Sequence, residues 1–168
     1  METIALEEKE RVGSLFHRFD IASLVLRAMI GVVFIAHGAQ KLFGALNGGG
    51  LHETANTMAG YGLRPGMFFA VLGGIIEFGG GLLLLVGLLT PVAGVIIICN
   101  MIVAIAVSSG RNGFVVPGRL GYEYNLVLIA IAFALTIIGG GRLSLDHGLG
   151  VDGAIAGHLR WLRTKYHR

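Results

Sequence analysis

The sequence predicts an all-α fold: a four-transmembrane-helix bundle with amphipathic terminal segments and both termini cytoplasmic. Three observations carry that prediction. The 168-residue chain is 54% hydrophobic and only 14% charged, with a mean hydropathy of +0.76, where a soluble domain carries about 25% charged residues. Four apolar stretches, Ile21–Phe43, Met67–Leu89, Val92–Ser108 and Tyr122–Ile138, are helical rather than alternating in pattern. Each approaches the roughly 20 residues that cross a bilayer. Finally, the basic residues lie at the ends of these stretches and not in aromatic-interleaved patches, with a net charge of only +3. The expected partner is a lipid bilayer and not nucleic acid.

Taken in order, residues 1–20 form a cytoplasmic N-terminal segment. Glu2, Glu7, Glu8, Lys9, Glu10 and Arg11 leave no room for the apolar core of a signal peptide, so the first span targets the chain. Residues 21–148 hold the four helices. Between the first and second spans, Asn47-Gly48-Gly49-Gly50 is a flexible stretch, Leu51–Ala59 a short surface helix, and Gly62-Leu63-Arg64-Pro65-Gly66 a turn. Leu89-Thr90-Pro91 links spans two and three so tightly that they must be antiparallel neighbours, with Pro91 suited to a first helical turn. Gly139-Gly140-Gly141-Arg142 ends the fourth span. In residues 149–168, Val151, Ile155, Leu159, Leu162 and Tyr166 recur at helical spacing beside Arg160, Arg163 and Lys165. This basic amphipathic tail suits the anionic cytoplasmic leaflet, or else a docking partner. An even number of spans puts both termini on one side, and eight basic residues there against four opposite make that side cytoplasmic.

Glu77 is the costly residue. It lies inside the second span with nothing positive within ten residues on either side. A carboxylate at mid-membrane costs about 2.5 kcal/mol or more. Arg27 and Lys41 share one face of the first span, roughly 21 Å apart along the axis. Counting from the ends of the apolar stretches, Arg27 and Glu77 differ in depth by only about 6 Å. An Arg27–Glu77 ion pair is therefore expected. His37, Lys41, Glu123 and Asn125 form a second polar set nearer the external face, where Glu123 is placed to meet Lys41 or His37. Asn100, in the middle of the third span, is expected to complete the hydrogen bonding around Glu77.

Other chemistries find little support. Cys99 is the only cysteine, with no CxxC, so it reads as a small buried hydrophobe. No second intramembrane histidine accompanies His37 for a bis-histidine haem, no paired His/Glu spacing suggests a metal, and no strand precedes the glycines for a nucleotide fingerprint.

Four motifs in order carry a resemblance. Leu26-Arg27 … Gly31 … Phe34 … His37-Gly38-Ala39-Gln40-Lys41-Leu42-Phe43-Gly44 resembles the first-helix signature of the DoxX family. Glu77 with Gly79-Gly80 and Leu85-Val86-Gly87-Leu88-Leu89-Thr90 is similar to its second helix. Gly121-Tyr122-Glu123-Tyr124-Asn125-Leu126 and Gly141-Arg142-Leu143-Ser144-Leu145-Asp146 resemble its fourth helix and exit. The resemblance covers roughly residues 20–148. It implies a four-helix, multi-pass protein of the bacterial inner membrane, associated with quinone-linked oxidoreductase systems such as the DoxD subunit of a thiosulfate:quinone oxidoreductase. Mycobacterial members imply soluble partners of the superoxide dismutase and sulfurtransferase type.

Three functions follow as expectations. In the first, the chain is a quinone-interacting membrane subunit of an oxidoreductase, its electrons coming from a partner. Glu77 and His37 then carry protons, Arg27 and Lys41 stabilise negative charge, and Phe34, Phe78, Tyr122 and Tyr124 line an apolar slot, with Asn100, Glu123 and Asn125 as further binding groups. In the second, it is a non-catalytic anchor recruiting soluble redox enzymes. In the third, it is a small proton-coupled carrier, disfavoured by the lack of an inverted repeat. Whether the chain is itself an enzyme, and whether it forms a homo-oligomer, stay open at this level.

Overall fold

A computed structural model describes residues 2–115, 117–118 and 121–151, with side chains from residue 17 onward. The basic tail from residue 152 lies outside the described residues. Every described element is helical: α1 (Glu2–Phe43), α2 (Gly50–Gly60), α3 (Gly66–Val86), α4 (Thr90–Val107), a 3₁₀ turn (Ser109–Asn112), α5 (Glu123–Ile138) and α6 (Leu145–Gly148).

Helix α1 runs for 42 residues without a break, so residues 2–20 continue into the first span. It contains no proline to interrupt it. It stops at Gly44, whose φ of +68° suits only glycine cheaply and whose N–H donates to the Gln40 carbonyl at 3.2 Å. Helix α3 ends the same way at Gly87, φ +70°. There the Leu88 N–H donates to the Leu83 carbonyl at 2.9 Å and the Gly87 N–H to that of Leu84 at 3.1 Å, a Schellman pattern. The turn to α4 is as tight as expected, with Pro91 in the first turn.

Three helices are long and apolar enough to cross a membrane: 27 residues of α1 from His17 to Phe43, the 21 of α3 and the 18 of α4. The fourth, α5, is shorter at 16 residues. Large apolar side chains cover the outside, among them Met29, Val32, Ile75, Val103, Phe133 and Ile137, all more than half exposed. In water such a surface would aggregate; against lipid it is the expected exterior. The inner core joins Ile30 and Phe34 of α1, Leu84 of α3, Ile97 and Met101 of α4 and Leu128 of α5.

Close backbone approach sets the register of α1 against α3. A Cβ on Gly31 would fall 2.9 Å from the Gly81 carbonyl oxygen, one on Gly81 would fall 2.8 Å from the Gly31 oxygen, and one on Gly38 would fall 2.7 Å from the Phe78 Cα. Small residues at these crossings are what let two membrane helices pack on each other. Gly94 does the same between α4 and α5, where a Cβ would sit 2.9 Å from the Ala132 carbonyl oxygen. Because Gly38 lies opposite Phe78, the end of α1 falls about two turns below the start of α3. Helix α2 occupies that level: a Cβ on Gly66 would be 3.1 Å from the Ala55 carbonyl carbon.

Candidate functional site

Glu77 is 4% exposed, on the inward face of α3. Lys41, in the last turn of α1, donates from Nζ to Glu77 Oε1 at 2.5 Å. Asn100, from the middle of α4, donates from Nδ2 to the same oxygen at 3.2 Å. Asn100 thus joins Lys41 on Glu77 Oε1, a contact that its place in the third span leads one to expect. The second carboxylate oxygen, Oε2, is buried without a hydrogen-bond partner among the described residues.

The expected Arg27–Glu77 pair is corrected: the cation that Glu77 meets is Lys41. A depth count from the apolar stretches takes α1 and α3 to reach the same outer level. The Gly31–Gly81 and Gly38–Phe78 crossings shift α1 along α3 by about two turns. That brings Lys41 level with Glu77 and leaves Arg27 near the far end of α3, beside Leu85 and Gly87.

Arg27 has a different task there. It is 1% exposed, donates from Nη1 to the Leu85 carbonyl at 3.3 Å and from Nη2 to the Leu143 carbonyl, and interacts electrostatically with Asp146. Asp146, also 1% exposed, accepts from the N–H groups of Leu89 at 2.6 Å and Thr90 at 2.9 Å, and its own N–H donates to the Gly87 carbonyl at 2.9 Å. Leu89 stands at the N-cap of α4 and has no polar side chain to cap the helix. A carboxylate from the chain's exit segment supplies the missing acceptors and a favourable charge at the positive end of the helix dipole. Ser23 Oγ donates to the Gly139 carbonyl at 2.7 Å, and Asp20 Oδ1 accepts from the Arg142 N–H at 2.8 Å. Together these bonds clasp the exit segment to α1 and to the α3–α4 turn. The sequence by itself assigns no role to Asp20, Ser23 or Asp146; the motif Gly141–Asp146 and a helix start at Leu89 without a polar cap are the signals in it that point to Asp146.

A cavity of about 650 Å³ lies between α2, α3 and α4, with Lys41, Glu77 and Asn100 at its polar end. Phe69, Leu72, Ile76, Val95 and Val103 supply apolar wall, and Thr54, Thr57 and Tyr61 of the α2 segment form a rim. Tyr61 is tied to the end of α4, accepting from Ser108 Oγ at 2.9 Å. Cys99 lines this cavity and is exposed, which corrects its reading as a buried hydrophobe. It shares the cavity face of α4 with Ile96 and Val103, three and four residues away.

On its other side the ion pair borders a smaller cavity of about 150 Å³, lined by Phe34, His37, Tyr124 and Asn125 among others. The exposed His37 meets Tyr124 edge to face, ring centroids 6.5 Å apart, and Asn125 Nδ2 donates to Met101 Sδ at 3.3 Å. The expected single aromatic slot is not assembled. Phe34 and Tyr124 border the small cavity, while Phe78 packs on Phe43 at 5.5 Å and Tyr122 on Phe114 at 5.3 Å. Neither Phe78 nor Tyr122 lines either cavity. Glu123 is corrected too: its Oε1 accepts from the Gly121 N–H at 3.3 Å, so it closes the start of α5 and does not reach Lys41 or His37.

Fold and site together define a small helical membrane protein with a partly buried acid–base pair at the polar end of an apolar cavity. The chain belongs to the DoxX family, whose model matches residues 22–110. It is similar to CatD of Bacillus subtilis (strain 168), which carries an oxidoreductase name, at 32% identity over 128 residues, 76% of this chain and 87% of CatD. It is also similar to the membrane protein Rv3486 of Mycobacterium tuberculosis (strain ATCC 25618 / H37Rv), at 34% identity over 137 residues, 75% of this chain and 80% of the relative. No solved structure shows a significant match to the chain.

Proposed function

We propose that this chain is a membrane subunit of a quinone-linked oxidoreductase system in the bacterial inner membrane, and that its ligand site is the cavity ending at Lys41, Glu77 and Asn100. The observation that carries the reading is Glu77: its Oε2 is buried without a partner among the described residues, and the residue lines a largely apolar cavity of about 650 Å³. That volume lies within the usual range of small-molecule sites. An apolar-tailed ring compound fits the lining, with its polar head at Glu77 and its tail along Leu72, Val95 and Val103, whose exposure opens the cavity toward lipid. The oxidoreductase name of CatD agrees with this reading.

A quinone supplies two-electron, two-proton redox chemistry when bound. The chain's own residues bind the head, exclude water and hold protons: Glu77 as acceptor, Lys41 and Asn100 as donors, with His37 beyond the ion pair as a route for protons. Arg27 drops out of this set because it lies near the far end of α3, where its Nη1 and Nη2 donate to the Leu85 and Leu143 carbonyls. Electrons come from a soluble partner, of the superoxide dismutase or sulfurtransferase-associated kind that the family suggests. Purification from native membranes followed by solvent extraction tests the reading. Quinone in near-stoichiometric amount, lost in Lys41→Met, is expected; protein free of quinone and inert to added quinone overturns it.

One feature favours the recruiting-anchor reading as well. Helix α1 begins 15 residues before its spanning part, a projection of about 22 Å at 1.5 Å per residue. Removing residues 2–15 and measuring recovery of soluble partners from the membrane fraction tests it; unchanged recovery counts against the projection as the dock.

A further inference from the structure

Resting on the ligand site proposed above, we infer that this cavity recognises the hydroxyl-bearing form of its ligand, a hydroquinone or other phenol, in preference to the carbonyl form. The inference comes from hydrogen-bond accounting around a single carboxylate. A carboxylate paired with an ammonium group accepts and does not donate. Glu77 Oε1 already receives two donors, Lys41 Nζ at 2.5 Å and Asn100 Nδ2 at 3.2 Å. Oε2 receives none among the described residues, although Glu77 is 96% buried, being 4% exposed. A buried acceptor left unmet is unfavourable, so the group that best completes this site brings a donor.

A quinone carbonyl or an ether brings only acceptor lone pairs and sets them against Oε2. A phenolic O–H donates to Oε2 once the carboxylate turns that buried oxygen toward the cavity. Lys41 Nζ carries three N–H bonds and spends one on Oε1, so its remaining donors serve the same phenolic oxygen as acceptor. One hydroxyl thus bridges both members of the ion pair, which a carbonyl cannot do. Beyond this head position Phe69, Leu72 and Ile76 of α3 and Val95 and Val103 of α4 supply an apolar wall, with Glu53, Thr54, Thr57 and Tyr61 on the α2 side. The ligand class is therefore a ring hydroxyl with an apolar tail. Sites built to bond a substrate hydroxyl reject analogues lacking it by large factors, whereas apolar walls alone discriminate weakly.

The test compares three probes on the purified full-length protein in detergent: decylhydroquinone, its bis-methyl ether and decylbenzoquinone, with affinities read by equilibrium dialysis under anaerobic conditions. Gly73 lines the cavity, and a Cβ there meets nothing within 4 Å among the described residues, so Gly73→Phe fills the space without a clash at its base. The expected result is decylhydroquinone binding at least tenfold more tightly than either other probe, the difference shrinking in Glu77→Gln, and all binding lost in Gly73→Phe. The three-probe comparison on the unaltered protein stands by itself where Glu77→Gln does not fold. Equal binding of all three, still lost in Gly73→Phe, overturns the hydroxyl preference and leaves the ligand site intact. No binding of any probe, or binding indifferent to Gly73→Phe, overturns the ligand site and the preference together.

Discussion

Lys41 Nζ lies 2.5 Å from Glu77 Oε1, with side-chain exposures of 27% and 5%, and this contact ties the end of α1 to the middle of α3. It also separates the two cavities, since both residues line each of them. A charge pair in that position holds the helices in register and borders an apolar space. Several measurements separate these roles.

Breaking the pair from one side should be worse than removing it. Lys41→Met leaves the Glu77 carboxylate buried without its counter-charge, at a cost of about 3 kcal/mol or more, whereas Lys41→Met with Glu77→Leu recovers much of that stability. Thermal unfolding in detergent should show the single variant melting well below the double one. Equal melting temperatures would show that the pair is not coupled.

Arg27 and Asp146 should behave as architecture. Arg27→Met removes donors to the Leu85 and Leu143 carbonyls and should destabilise by about 3 kcal/mol. Asp146→Asn weakens the cap of α4 by about 1–2 kcal/mol. In both, the folded protein should keep its affinity for decylhydroquinone. An affinity loss larger than that of Lys41→Met would return Arg27 to the binding site.

The glycines divide into two groups. Gly38→Leu places side-chain atoms against the Phe78 backbone and should destabilise by about 1–3 kcal/mol or abolish folding. Gly79→Ala adds a methyl where nothing lies within 4 Å among the described residues, and should be neutral or slightly stabilising. Comparable losses at both positions would contradict the α1–α3 packing.

Cys99 reports on the cavity. Because it is exposed in the cavity wall, N-ethylmaleimide should label it in the folded protein without denaturant, as followed by intact mass. Gly73→Phe and excess decylhydroquinone should each slow the labelling severalfold. Labelling that appears only after unfolding would place the thiol elsewhere.

Orientation has its own test. On a Cys99→Ser background, Asn47→Cys should react with a membrane-impermeant maleimide in intact cells, and Leu149→Cys only after lysis, if the basic-residue bias sets the topology. The reverse pattern would put both termini outside.

The placement of the helices is largely legible in the sequence, because hydropathy and helical period are local properties of the chain. Leu89-Thr90-Pro91 marks a tight turn, the glycines of the first and second spans mark close packing, and Glu77 with Asn100 marks a polar centre. Other features are not legible there, and for a common reason: they depend on which neighbour a side chain meets. Glu123 and Tyr122 sit near the right end of the molecule, yet the start of α5 turns them to Gly121 and Phe114. Cys99 sits in an apolar run, yet the gap between α3 and α4 exposes it.

Composition and pattern alone make this chain a helical membrane protein with an expensive carboxylate that has to find a cation. Which cation it finds is settled only in three dimensions. Arg27 and Lys41 lie on one helix about 21 Å apart, and both satisfy the chemistry equally well. The choice depends on how far α1 slides along α3, and that distance is fixed by Gly31 meeting Gly81 and Gly38 meeting Phe78, with α2 beside the outer turns of α3. Axial register between helices distant in sequence arises from such contacts, so Lys41 becomes the site and Arg27 the clasp.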